Sequence, residues 1–271
     1  MSRRIRACVL YAAVACAAGG PVSIGAAVGA GLGACIGARV GKCVRGTSGG
    51  GDDAPRAKLR PISVPGDGHK LNRGHEAELA KGKPVLFAGG GGMGASGGRG
   101  TAVCEVAAPP KVVWGILLDF KSYGGRLPSC KFAKVYHSSG VRTRRVKVHM
   151  KLDAVVKAFD CYYDHTYDPQ KNMLTWTLDT DKTSDFTDVQ GQWYVEKHPS
   201  RKDCSRVWYS ADVSLPPWLP SMVVGKLMSS AGKKSCAFIK TYSEKQWARE
   251  SRGSLFARMK PTKGAAPTEG N

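Results

Sequence analysis

The sequence predicts an α+β fold, in which a strongly curved antiparallel sheet of about six to seven strands wraps around a long C-terminal helix, with two short helices after the first strand. Between residues 101 and 250, short segments of alternating apolar and polar residues follow one another, separated by turn signals, as is typical of antiparallel strands. After the last segment, an apolar stripe with helical spacing begins near Ser221 and runs to Glu250.

The first strand and the two short helices come from one stretch of the chain. Residues 101–107 alternate with the period of a strand. Pro109-Pro110 then starts a helix, because proline is tolerated in the first helical turn. Residues 119–128 form a second short helix or turn, which a Gly-Gly pair interrupts.

The remaining strands follow in segments that end at turn signals: KFAKVYH, VRTRRVKVHMKL, VVKAFDCYYDHTYD, NMLTWTL, FTDVQGQWYVE and RVWYSADVSL. The long helix then carries residues spaced three and four apart, which are Val224, Met228, Ala231, Ser235, Phe238 and Tyr242. Because one helix cannot fill the concave side of so wide a sheet, we expect an internal cavity.

Composition narrows the class of protein. The chain has 271 residues, of which 42% are hydrophobic and 23% are charged, so it is not disordered throughout. It lacks the series of long apolar spans of a polytopic membrane protein. Nine cysteines without a C-x-x-C pair form neither a disulfide framework nor a zinc ribbon, which favours reduced, buried thiols in an intracellular compartment.

Residues 1–50 do not resemble a globular domain. Three arginines precede an uncharged stretch, residues 7–38, and glycines recur at every fourth position from Gly25 to Gly41. An Arg-rich, acid-free segment suits a transit peptide that directs the protein to a plastid or mitochondrion. Alternatively, residues 7–38 anchor the protein in a membrane as a glycine zipper, or form a low-complexity linker.

The rest of the chain divides by composition. Residues 51–73 are rich in Gly, Pro and Ser and are interpreted as a linker. Residues 74–100 form a short extension, with one short helix and one short strand, that ends in a Gly-rich loop. Residues 101–250 form the main domain, and residues 251–271 form a disordered basic tail.

Several motifs of the main domain resemble those of one superfamily. The sequence PPKVVWGILLDFKSYGGRLPSC resembles the Pro-led helix pair of the START-like (SRPBCC) superfamily, although Gly124-Gly125 departs from its pattern. Gly191-Gln192-Trp193 followed by Ser205–Tyr209 resembles its pair of late strands, and the LPPWLP run at 215–220 resembles the approach to its C-terminal helix. The match is greatest with the polyketide cyclase/dehydrase and coenzyme Q-binding branch.

The resemblance implies a helix-grip fold, shared with birch-pollen-allergen-like proteins, and an apolar cavity for a hydrophobic ligand. The residues agree, because the more apolar face of each strand also carries the aromatic side chains and is expected to point inward. Aromatic rings with one polar edge suit a ligand that has an apolar body and a few polar atoms. The candidate ligand-binding residues are Trp114, Phe159, Tyr163, His165, Trp176, Trp193, Tyr209 and Phe238.

An enzyme of the cyclase or dehydrase type is the first alternative. It needs an acid or base inside the cavity, and His165 is the histidine whose strand phase points inward. The chain has no G-x-S-x-G, H-E-x-x-H or phosphate-binding loop, and no spacing of metal ligands. The sequence therefore assigns no catalytic residue, no metal and no cofactor.

Binding through a basic surface is the second alternative. The net charge of +20 suggests nucleic acid or an anionic membrane as a partner. A basic sheet face is predicted from Arg142, Arg144, Arg145, Lys147 and Lys151. Nucleic acid is disfavoured because the aromatic residues lie on the opposite, inward faces, whereas anionic lipid headgroups need no stacking. The favoured function is an intracellular carrier of a lipid, isoprenoid or quinone.

Overall fold

Alternating apolar and polar residues build one antiparallel sheet of eight strands in the order β1-β2-β8-β7-β6-β5-β4-β3. The computed structural model describes residues 59, 61–88, 97–153, 158–214 and 221–258. The strands are β1 Val85–Ala88, β2 Gly97–Val106, β3 Cys130–Ser139, β4 Arg144–Asp153, β5 Ala158–Asp168, β6 Met173–Leu178, β7 Asp188–Lys197 and β8 Ser205–Ser214. Every neighbouring pair is antiparallel, so the predicted fold class is confirmed.

Four α-helices accompany the sheet within the described residues: α1 Arg73–Ala80, α2 Pro110–Leu117, α3 Tyr123–Arg126 and α4 Ser221–Arg258. Local sequence sets where they begin. Asn72 caps α1 by accepting a hydrogen bond from the backbone N–H of His75, at 2.9 Å. Pro110 occupies the first turn of α2, as predicted. In α3, Gly124 lies against the backbone of β3, where a Cβ atom would be 3.2 Å from the Cα of Phe132.

The long helix lies on one face of the sheet, hereafter the concave face. Helix α4 contacts β2, β8 and β1, and it crosses β2 where Gly232 approaches Ala102. Its residues Ser235, Phe238 and Ile239 are buried, together with the inward residues of the strands. The strand phases predicted from the sequence are confirmed, because the alternate apolar residues of β2 and of β4–β8 belong to this one core.

Several boundaries differ from the predicted ones. Strand β2 begins at Gly97, inside the segment interpreted as a Gly-rich loop, because its first residues pair with the end of β8. The additional strand β1 raises the number of strands to eight. Helix α4 continues to Arg258, beyond the predicted end at Glu250.

Residues 61–72, which composition places in the linker, pack against the outer face of the sheet. Arg99 of β2 forms an ion pair of 2.8 Å with Asp67 while both side chains are buried, and its guanidinium also donates to the carbonyl oxygen of Pro61. Gly66 lies on the ring of Trp208, where a Cβ atom would be 2.2 Å from Cε3. This part of the segment therefore belongs to the folded unit.

The predicted basic face is largely neutralised by aspartates of neighbouring elements. Arg145 forms a bidentate ion pair with Asp164. Lys147 pairs with the buried Asp179 at 2.8 Å, and Lys151 lies 3.4 Å from Asp160. Arg142 and Arg144 are exposed, without an acidic partner in the described part of the chain. Three of the five predicted basic residues thus have aspartate partners, because β5 and the segment after β6 place carboxylates beside them.

Some predictions concern residues outside the described ranges. These are the targeting or anchoring role of residues 1–50, the loop at 89–96, the LPPWLP run and the tail from 259 onward. Organellar localisation therefore stays a prediction. No helix within the described residues combines the length and apolar character needed to cross a membrane.

Candidate functional site

The fold brings all eight predicted ligand-binding residues into one aromatic cluster on the concave face. Strands β5 to β8 supply six of them, α2 supplies Trp114 and α4 supplies Phe238. Six are buried, whereas Trp176 and Tyr209 keep some accessible surface. Other side chains packed against this core, among them Tyr167 and Phe186, are also only partly buried, so part of the concave face stays accessible.

Ring contacts connect the cluster across the strands. Tyr209 lies between Trp193, at 4.8 Å between ring centroids, and Trp176, at 5.7 Å. Trp176 in turn lies 6.3 Å from the ring of His165. The arrangement forms an aromatic wall across β5, β6, β7 and β8, which offers an apolar ligand a broad contact surface.

The position of Trp176 depends on a glycine of the neighbouring strand, which has no side chain to occupy the same space. Trp176 faces Gly191 across the β6–β7 pair, and Gly191 faces Ala211 on β8. A Cβ atom on Gly191 would lie 2.0 Å from Cζ2 of the indole, so the ring rests directly on the backbone of β7. The small residues of β7 and β8 thus leave room above the sheet for a large aromatic surface.

His165 lies at the opposite side of the cluster and is held among rings. Its imidazole is 4.5 Å from Phe120 and 5.9 Å from Tyr163 between centroids. Burial disfavours the charged form and lowers the pKa of His165 to about 3, although a hydrogen bond with the backbone of Val146 partly opposes the shift. The ring is therefore neutral near pH 7.

This neutral state predicts how stability depends on pH. In the unfolded chain the histidine binds a proton below pH ~6.5, whereas in the folded protein it does so only near pH 3. The neutral ring of His165 therefore contributes its full stabilisation above pH ~6.5, and this contribution falls as the pH drops toward 3. Between pH 6.5 and 5, wild type should lose about 1.5–2 kcal/mol more than His165→Gln in urea unfolding. The exposed control His137→Gln should follow wild type, and parallel profiles for wild type and His165→Gln would contradict the assignment.

The other titratable groups of the interior are also held neutral. Burial raises the pKa of the Tyr209 hydroxyl and of the Cys161 thiol, each to about 12. Tyr163 and Cys236 shift in the same direction, and for Cys236 a hydrogen bond with Cys104 contributes most. These cysteines are free thiols, and no group of acidic, histidine or cysteine side chains within the described ranges is arranged to hold a metal.

Sequence reasoning missed several residues of the cluster. Phe120 packs on His165, and Tyr167 packs on Trp114 at 4.7 Å, yet neither was a candidate. Tyr167 shares the odd-numbered face of β5 with His165, which is the signal that points to it. Phe120 carries no such signal, because its position depends on how the turn before α3 folds back.

A separate pocket of about 270 Å³ opens between α2, α3 and α4. Its lining is Ile116, Arg126, Tyr242, Lys245, Gln246 and Arg249. Arg126 lies over the Tyr242 ring at 5.3 Å and pairs with Asp119 at 3.3 Å. Asp119 also accepts a hydrogen bond from Ser122, so it holds together the turn between α2 and α3.

A curved antiparallel sheet that holds one long helix over an aromatic concave face defines a protein of the helix-grip fold. Residues 106–234 match the family described as polyketide cyclase / dehydrase and lipid transport, and this confirms the resemblance to polyketide cyclases and dehydrases for that part of the chain, whereas the coenzyme Q-binding part stays a prediction. No curated protein matches the chain.

Solved structures similar to this chain include three of low sequence identity. The Zhui aromatase/cyclase from a Streptomyces species is 15% identical, with 58% of this chain and 98% of that chain covered and a TM-score of 0.46. The STAR-related lipid transfer protein from Xanthomonas axonopodis is 12% identical, with 59% and 93% covered and a TM-score of 0.47. Human STARD10 is 12% identical, with 68% and 80% covered and a TM-score of 0.49.

Proposed function

We propose that this protein binds a hydrophobic small molecule, such as a lipid, an isoprenoid or a quinone, on its concave face and carries it without chemical change. The observation that carries the proposal is the aromatic wall of Trp176, Tyr209 and Trp193 on the concave face, in which Trp176 and Tyr209 keep accessible surface. Such a wall removes apolar ligand surface from water. The lipid transport named in the family description supports this proposal.

The same description names cyclases and dehydrases, so catalysis on this concave face is the alternative. Acid–base catalysis needs a group whose pKa lies near the working pH. Burial moves the pKa of His165 far below that range, and it moves those of Tyr209 and Cys161 far above it. The interior groups therefore suit recognition better than proton transfer.

Binding of nucleic acid or of an anionic membrane through the sheet is less well supported. Three of the five predicted basic residues, Arg145, Lys147 and Lys151, already have aspartate partners. A phosphate group would have to compete with these carboxylates. Most of the aromatic residues lie in the core on the other side of the sheet, although Phe132 and Tyr136 are exposed on the outer face.

Replacing Trp176 with alanine should weaken binding of a short-chain quinone about tenfold, because part of an aromatic contact surface worth about 1–2 kcal/mol is lost. Binding is measured by quenching of tryptophan fluorescence, with the loss of the Trp176 signal corrected from free-variant spectra. Phe132→Ala is the matched control, since Phe132 is exposed on the outer face against His149 and should leave the affinity unchanged.

The proposal fails if wild type binds no hydrophobic probe while it binds RNA or anionic vesicles in a manner that weakens steeply with salt. Conversion of the bound molecule to a product of different mass would favour the enzyme instead. Recovery of the unchanged molecule after binding supports the carrier.

A further inference from the structure

Two polar atoms of the aromatic cluster are buried without a hydrogen-bond partner. They are Nε1 of Trp114 and Nδ1 of His165, whose residues are 7% and 5% exposed. Buried polar groups are nearly always paired, because an unpaired one forfeits its hydrogen bond with water. The two atoms are therefore positioned to bind something that enters the interior.

These two atoms lie in the same part of the concave face. Trp114 packs on Tyr167 at 4.7 Å between ring centroids. Tyr167 and His165 are alternate residues of β5 on the same face, so their Cα atoms lie about 7 Å apart. Trp114 and His165 therefore flank the same stretch of β5 on the concave face.

The two atoms also differ in chemistry. The indole Nε1–H of Trp114 can only donate. The imidazole of His165 is neutral, because burial lowers its pKa to about 3. One ring nitrogen of a neutral imidazole carries a hydrogen and the other is an acceptor, so Nδ1 accepts or donates according to the tautomer. A hydroxyl group, which both accepts and donates, matches this pair.

The described residues place no buried charged side chain on the concave side of the core. The buried charged side chains of the described residues are Arg99, Glu105, Asp179 and Arg206, and each pairs with outer-face or loop residues. The buried polar residues of the concave side are neutral, and they include Ser235 and Ser243. Because an unpaired charge is costly to bury, a carboxylate or phosphate would be rejected from this interior.

We propose that the interior binds a neutral alcohol, with its hydroxyl accepting from Trp114 Nε1–H and donating to His165 Nδ1 and its apolar body on the aromatic wall. This inference rests on the proposed function and narrows the ligand class. It distinguishes prenols, sterols and other lipids with a free hydroxyl from fatty acids and from lipids whose charged headgroup would have to be buried.

Three pyrene probes with the same ring and chain test the proposal on the full-length protein at pH 7.5: pyrenebutanol, pyrenebutyrate and butylpyrene. Wild type should bind the alcohol about tenfold more tightly than the carboxylate. Trp114→Phe keeps the aromatic ring but removes the donor. The variant should bind the alcohol about tenfold more weakly than wild type does, whereas its affinity for butylpyrene should stay within about twofold of the wild-type value.

Trp208→Phe is the matched control, because Trp208 lies on the outer face and its Nε1–H already bonds with Glu196 at 3.1 Å. It should leave all three affinities unchanged. His165→Phe, which removes the acceptor, should repeat the selective loss for the alcohol. If Trp114→Phe does not fold, the proposal is still tested by His165→Phe and by the affinities of wild type for the alcohol and the carboxylate.

The possible failures are distinguishable. Equal affinity of wild type for the alcohol and the carboxylate would overturn the inference, and so would an equal loss for all three probes in Trp114→Phe. In both cases binding itself persists, and the carrier function stands. If none of the three probes binds, the carrier function itself is overturned.

Discussion

Replacing Glu105 with alanine should destabilise the fold by about 3–5 kcal/mol, because it removes the carboxylate from a buried ion-pair cluster. Glu105 is 6% exposed and accepts from Arg206 at 3.1 Å and from His198 at 2.9 Å. Burial opposes ionisation, but these hydrogen bonds together lower the pKa of the Glu105 carboxyl below its ordinary value. Without it, the buried Arg206 keeps only the half-exposed Glu76 as a partner.

Urea unfolding measures this loss of stability, and two further variants serve as controls. Glu78→Ala removes a carboxylate whose partners Lys81 and Lys83 are exposed, so it should cost far less stability than Glu105→Ala. Glu105→Leu combined with Arg206→Met removes both charges and should recover most of the stability, as with other buried pairs replaced by apolar residues. A loss for Glu105→Ala as small as that for Glu78→Ala would show that the cluster contributes little.

Replacing Gly191 with alanine should displace Trp176 and impair both stability and binding. The new Cβ would lie 2.0 Å from Cζ2 and 2.2 Å from Cε2 of the indole, so the ring must move off β7. Overpacking of this kind costs about 1–3 kcal/mol. Ligand affinity should fall at least about tenfold, as for Trp176→Ala, because the displaced ring intrudes on the space where the ligand lies.

Gly115→Ala is the matched control, since Gly115 lies within α2 and a Cβ there meets no atom within 4 Å. It should be neutral or stabilise α2 by up to about 1 kcal/mol. Combining Gly191→Ala with Trp176→Leu removes the clash and should restore stability but not affinity. Unchanged binding by Gly191→Ala would mean that the ligand does not contact the aromatic wall.

The alternation of apolar and polar residues, with a period of two, was sufficient to predict which face of each strand points into the core. Phe159, Tyr163 and His165 alternate on β5, and only one phase gives a core-facing apolar surface, so the inward set could be named without a structure. The stripe of α4 follows in the same way from its spacing of three and four.

Contacts between distant segments could not be predicted. The packing of residues 61–72 depends on the pairing of Asp67 with Arg99 and on the fit of Gly66 to Trp208, neither of which leaves a periodic pattern. Neutralisation of the basic face depends on the register of β4 against β5. Asp160 and Asp164 had the phase of the outer face, but only the register places them beside Lys151 and Arg145.

The measurement that tests the central claim most directly is mass spectrometry of the molecule that co-purifies with the full-length protein under native conditions. The account predicts one neutral, hydrophobic compound bound per chain, retained by Phe132→Ala and largely lost from Gly191→Ala and Trp176→Ala. Protein that carries no such compound and binds no added hydrophobic probe, or a compound equally retained by all four proteins, would contradict it.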